Sequence, residues 1–133
     1  MNPAADITRG KILVVDDNED ILETMSLLLT ASGFEVVAAH HGGEALSRLR
    51  TEDQVDLIVL DLSMPTMDGR EFLRRKRQQA SGIAQIPVLV VSSVAASSVT
   101  GAVGVLRKPF DPQRLIDIVA RHARPAGDVR DRN

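Results

Sequence analysis

Cysteine, tryptophan and tyrosine are all missing from this 133-residue chain. Without a thiol, disulfides and thiolate metal sites are excluded, which suits a reducing compartment. Phe34, Phe72 and Phe110 are the whole aromatic content, too little for a surface on which nucleic-acid bases stack. A net charge of −2 gives no bulk attraction to nucleic acid or to anionic membrane. The opening MNPAADITRG has no apolar stretch of the kind a secretory signal needs, and no run approaches bilayer-spanning length. The expectation is a cytoplasmic protein that contacts neither membrane nor nucleic acid directly.

What is present is the composition of an ordinary globular domain, 44% hydrophobic and 26% charged. Its length allows one domain with a real core. Apolar runs alternate with helical periods from end to end. Strands are predicted near 11–15, 35–38, 56–60, 87–91 and 104–107. Ile21, Leu22, Met25, Leu28 and Leu29 share one helical stripe that stops at Gly33. A short second helix carries Ala45, Leu46 and Leu49. The third follows Asp68-Gly69, with Phe72 and Leu73 inward and Arg74, Arg75, Lys76 and Arg77 mostly outward. The last opens on Asp111 and Pro112 and repeats Leu115, Ile116, Val119 and Ala120.

Such alternation implies right-handed crossovers and a parallel α/β sheet with helices on both faces. A fourth helix belongs between 93 and 103, but SVAASSVTGAV is β-branched, Ser-rich and uncharged. That helix is expected to be short or irregular. Residues 1–9 read as a flexible lead, 10–123 as the domain, and the polar 124–133 as a disordered tail.

Acidic residues stand at two predicted strand ends: Asp16 and Asp17 after KILVV, and Asp61 after VDLIVL. In open parallel sheets the carboxyl edge is where ligands bind. Carboxylates converging there repel one another unless a divalent cation sits among them. Hard oxygen donors suit Mg²⁺, and a cation held by carboxylates points toward phosphate chemistry. Capping of the first helix competes as an explanation for Asp16 and Asp17. One cap needs one residue, however, and Asn18 is already there.

By itself Asp61 reads equally well as a loop carboxylate. Beside Asp16 and Asp17 it reads as a nucleophile placed to take a phosphoryl group. Lys108 ends the fifth strand just before Pro109, where its ammonium suits the carboxylates or the phosphoryl oxygens. The Lys108–Pro109 bond is a candidate for the cis form. Ser92, directly after the buried PVLVV run, is preferred over Ser93 as a hydroxyl donor. The basic cluster at 70–77 has the spacing of a solvated helix face. His40, His41 and His122 are not spaced as metal ligands.

Four stretches in this order carry a resemblance: VVDD at 14–17, DLSMPTMDG at 61–69, VVSS at 90–93 and GAVGVLRKPF at 101–110. Over about residues 10–123 the chain resembles the receiver domain of two-component response regulators, of the single-domain, chemotaxis-regulator-like kind. The resemblance implies a doubly wound, flavodoxin-like sheet of five strands, two helices on one face and three on the other. It implies Asp61 as phosphoacceptor, with Mg²⁺ held by Asp17, Asp61 and the backbone carbonyl of Ser63, and Asp16 assisting. Ser92 would take the switch-hydroxyl position, and Lys108 would contact the phosphoryl group. The implied function is a signalling switch phosphorylated by a histidine kinase or histidine phosphotransfer protein and acting through a downstream protein. Its only catalysis would be of its own phosphoryl transfer and dephosphorylation.

Three departures from the family pattern stand out. Val105 occupies the fifth-strand position that is usually Tyr or Phe, so no ring can turn inward there. The stretch between Ser92 and Lys108 is shorter than usual. Val94, two beyond the switch hydroxyl, cannot orient a water by hydrogen bonding, and Ser63 lies two beyond the phosphoacceptor; slow self-dephosphorylation is the expectation. A receiver-like scaffold that binds partners without phosphorylation is the main alternative. A Mg²⁺-dependent phosphatase with an Asp nucleophile wants a second acid where Ser63 stands. A nucleotide or flavin module wants a Gly-rich loop where Asp16–Asp20 would repel phosphate.

Overall fold

In the computed structural model, residues 9–52, 54–62, 69–93 and 99–123 are described. Five apolar runs form the strands β1 Lys11–Val15, β2 Glu35–Ala39, β3 Leu57–Asp61, β4 Val88–Ser92 and β5 Gly104–Arg107. Between and after them run helices α1 Glu19–Ala31, α2 Gly42–Thr51, α3 Gly69–Arg77, α4 Ser81–Ala84 and α5 Pro112–His122. Every strand pair is parallel, in the order β2-β1-β3-β4-β5.

Successive strand residues point to opposite faces, so each central run feeds two cores. Leu13, Ile58, Leu60 and Val90 pack with Ala45, Leu49, Phe72 and Leu73 of α2 and α3. Val14, Leu57, Val59 and Val91 pack with Leu22, Met25, Leu29 and Leu115 of α1 and α5. Each such fully buried side chain contributes about 1.5–3 kcal/mol. This two-sided burial explains why β1, β3 and β4 read as continuous hydrophobic runs rather than alternating ones.

Helix ends follow local rules. The Asn18 side chain accepts N–H bonds from Asp20 and Ile21 at 3.0 and 3.1 Å, capping α1. Gly33, at φ +97°, takes the left-handed conformation that ends it. Asp111 caps α5 by accepting from Gln113 N–H at 3.0 Å.

Two features differ from the sequence expectation. Helix α4 is a single turn before β4 and follows no apolar period. It is held by Lys76, whose Nζ donates to the Ala84 carbonyl at 2.7 Å. Lys76 is therefore buried, 4% exposed, and not part of an outward cationic face. Its long stem lies along apolar surface while the ammonium meets an orphan helix-end carbonyl. Between β4 and β5, described residues 99–103 form a turn closed by Ala102 N–H to the Val99 carbonyl at 3.0 Å. The rest of the expected fourth helix, 94–98 with Val94, lies outside the described residues. So do Ser63, residues 1–8 of the expected lead, and the 124–133 tail. Among the described residues no helix is long and apolar enough to cross a membrane.

Candidate functional site

β1 and β3 are neighbours and end at the same edge, with Val15 paired to Leu60. The next residues, Asp16 and Asp61, therefore emerge side by side. Asp16 is fully buried and Asp61 5% exposed, while Asp17 is exposed. One carboxylate oxygen from each of the three lies within 4.8 Å of the others. Asp16 Oδ1 accepts the Asn18 N–H at 2.9 Å, which fixes the turn into α1. Asn18 alone supplies the cap of α1, so capping does not account for Asp16 or Asp17.

Lys108 arrives from the far side of the sheet. Its backbone N–H donates to the Ser92 carbonyl at 2.8 Å, tying the ends of β4 and β5 together. Its Nζ donates to Asp16 Oδ2 at 3.1 Å and stands 3.6 Å from Asp61 Oδ1. The Lys108–Pro109 bond is cis. Asp61 pairs with Val91 across the sheet, so fully buried Ser92 ends the adjoining strand one residue further along. Asp61 and Ser92 are themselves the last residues of β3 and β4.

Electrostatically the edge is short of positive charge. Three carboxylates face one ammonium among the described residues. All-oxygen donors with a surplus of negative charge fit a hard divalent cation such as Mg²⁺. Neither histidine nor cysteine is among these donors.

Of the other residues singled out from sequence, Val105 is partly buried against the α2 and α3 core. Pro109 helps wall an apolar groove of about 490 Å³ with Ile21, Met25, Leu28 and Phe110, and Lys108 closes its end nearest the carboxylates. His40 had no role in the sequence. Its Nε2 and Nδ1 lie 2.9 Å from Glu19 and Glu44, linking the β2–α2 turn to the start of α1. The Glu44 hydrogen bond, helped by the Glu19 charge, raises the His40 pKa above 6.5. The His40–Glu44 spacing was visible along the chain, but Glu19 is brought in only by the sheet.

Strand order, acidic edge and lysine together describe a phosphorylatable signalling module, and comparisons with known proteins agree. The family model of the response regulator receiver domain matches residues 12–120. The transcriptional regulatory protein PrrA of Mycobacterium tuberculosis is 41% identical over 123 residues, 86% of this chain and 49% of PrrA. The alkaline phosphatase synthesis transcriptional regulatory protein PhoP of Bacillus subtilis is 37% identical, over 79% of this chain and 45% of PhoP. The chain thus spans about half the length of the curated relatives it matches. Among solved structures, the chemotaxis protein CheY4 of Vibrio cholerae superposes with a TM-score of 0.78 at 34% identity, covering 85% of this chain and 98% of CheY4. The chain belongs to the response regulator receiver domain family of two-component signalling.

Proposed function

We propose that Asp61 accepts a phosphoryl group from a histidine kinase or histidine phosphotransfer protein, and that the resulting change is read by a downstream protein. The observation that supports this most is the meeting of Asp16, Asp17, Asp61 and Lys108 at one sheet edge. A carboxylate oxygen of Asp61 attacks phosphorus as the P–N bond to the donor imidazole breaks. The bonding pair leaves on the ring nitrogen, which takes up a proton, and Asp61 becomes an acyl phosphate.

Asp17, Asp61 and the Ser63 backbone carbonyl, with Asp16 assisting, are the proposed Mg²⁺ ligands. When bound, Mg²⁺ neutralises charge on the phosphoryl oxygens. Lys108 turns from the carboxylates to the new phosphoryl oxygens, and the Ser92 hydroxyl donates to one of them. The bound group thereby shifts a pre-existing equilibrium between two states of the domain. With Val105 in place of an aromatic residue, that shift works without a turning ring. The groove beside Lys108 is the proposed seat of the protein donor, because Lys108, which lines it, also reaches Asp16 and Asp61. The proposed place of action is the cytoplasm.

Intact mass after incubation with Mg²⁺ and a small acyl-phosphate donor tests the proposal. A single phosphoryl adduct is expected in the wild type and none in Asp61→Ala. Decay of that adduct is expected to be slow, and faster in Val94→Glu. No adduct from any donor, protein or small molecule, makes the chain an unphosphorylated scaffold instead.

A further inference from the structure

Helix α3 sets five cationic side chains against one acid, Glu71. Glu71 is taken by Arg74 and Arg75 together, which hold its carboxyl at about 2. Lys76 is buried on the Ala84 carbonyl. Arg70 and Arg77 remain, both exposed and without an acidic partner within ion-pair distance among the described residues. They flank a small groove of about 150 Å³ whose floor is Leu73 and Val99, with Thr100 on the opposite wall. Gly101 closes that wall against Arg77, where a Cβ would stand 3.4 Å from Nη1.

One wall of this groove is tied to the strand that ends in Asp61. The first N–H of α3, on Gly69, donates at 2.8 Å to the carbonyl of Leu62, the residue after Asp61. The approach is so close that a Cβ on Gly69 would meet Leu62 Cα at 2.7 Å. Movement at Asp61 therefore has a short mechanical path to the groove through Leu62 and Gly69.

We propose that this groove docks an acidic segment of a downstream protein, with two carboxylates on Arg70 and Arg77 and an apolar side chain between them on Leu73 and Val99. Its affinity changes when Asp61 is phosphorylated, a part of the proposal that rests on the function proposed above. Charge complementarity selects this occupant. Arg70 and Arg77 are separated by about 10 Å along the helix axis, a spacing for two anionic groups rather than one. The chain's own ends do not match: 124–133 carries Arg124, Arg130 and Arg132 against Asp128 and Asp131, and 1–8 carries only Asp6. Nucleic acid is disfavoured by a net charge of −2 and the absence of Trp and Tyr.

The test uses the full chain and a fluorescein-labelled peptide with two aspartates three residues apart and a leucine between them, followed by anisotropy. Binding is expected to weaken about tenfold in the Arg70→Ala/Arg77→Ala double variant, the scale of two exposed charge pairs. An Arg114→Ala/Arg121→Ala variant, of equal charge but on α5, is expected to stay within about twofold of wild type. Phosphorylated and unphosphorylated protein should differ by about threefold or more. Circular dichroism confirms that each variant is folded.

Equal binding by the Arg70/Arg77 variant, or equal loss in the α5 variant, overturns the proposal. Tighter binding of an oligonucleotide of the same charge reassigns the groove to nucleic acid and also overturns it. So does self-association of the wild type that the double variant abolishes, since a second copy is then the occupant. An Asp61 that takes phosphate while peptide affinity stays constant defeats the coupling and leaves the proposed function standing. An Asp61 that never takes phosphate defeats the proposed function, while peptide binding still reports on the groove.

Discussion

Lys108 Nζ lies 3.1 Å from Asp16 Oδ2, although 92 positions separate the two residues in the chain. The contact spans the sheet edge from β5 to β1 and places the one ammonium of the cluster between two buried carboxylates. Deleting it leaves two like charges in a poorly solvated place. Lys108→Met should lower unfolding free energy by about 3–5 kcal/mol without Mg²⁺, the scale for breaking a buried pair. Urea denaturation checks this, and an unchanged midpoint would show that the ammonium is not the balancing charge.

A cation at the same cluster should act in the same direction. Mg²⁺ at ten times its dissociation constant is expected to raise stability by about 1.4 kcal/mol, reversed by chelator. Asp17→Asn removes an exposed donor with little effect on the core, so its metal-free stability should be near that of wild type. Its Mg²⁺-dependent gain should shrink. Thermal melts at graded Mg²⁺ concentrations give both numbers.

Gly69 matters for space. A Cβ there would meet the Leu62 backbone at 2.7 and 2.9 Å, with no flexible side-chain end to give way. Gly69→Ala should cost about 1–3 kcal/mol by overpacking, despite the better helix propensity of alanine. If it proves stabilising, the close approach of α3 to the end of β3 is wrong.

The His40 link has a pH window. Its pKa is raised above 6.5, so its stabilising contribution is complete below 6.5 and disappears as pH rises through the folded value. Glu44 is lowered below 4.5, first by the His40 backbone N–H, so its contribution is present above 4.5 and fades as pH falls through its folded value. The two overlap most fully between 4.5 and 6.5. His40→Ala should therefore destabilise most at about pH 5.5 and least at about pH 8.5, by a small amount because the pair is solvent-screened. Denaturant midpoints at both pH values check the sign.

Leu28 lines the groove beside Lys108 without joining either core cluster. Leu28→Asp should slow phosphoryl transfer from a protein donor by about tenfold or more, as for a hot-spot residue. Transfer from a small acyl phosphate should be unaffected. Equal rates with both donors would place the donor elsewhere.

The acidic edge was legible along the chain because a buried parallel strand must deliver its next residue to one rim. Two hydrophobic runs followed by aspartate therefore sufficed to bring Asp16 and Asp61 together. Lys108 was legible for the same reason, from its position after the fifth run. The Asn18 and Asp111 caps depend on neighbours two and three residues away, so they too were plain in the text of the chain.

Other features had no such local signal. Lys76 sits in a run of arginines and looks like one more solvated charge, yet the packing of α3 beside the turn at 81–84 makes it a buried donor to Ala84. His40 gains Glu19 only because β2 lies beside β1. The pairing of Arg70 and Arg77 with Val99 across a groove likewise depends on where α3 lies against the turn after β4. Sequence by itself determined the period of each element and the chemistry at each strand end, since hydrophobic spacing and capping act over a few residues. Tertiary structure alone decided which charges are buried, bridged or left facing solvent, because burial depends on the elements that pack alongside and not on a residue's neighbours in the chain.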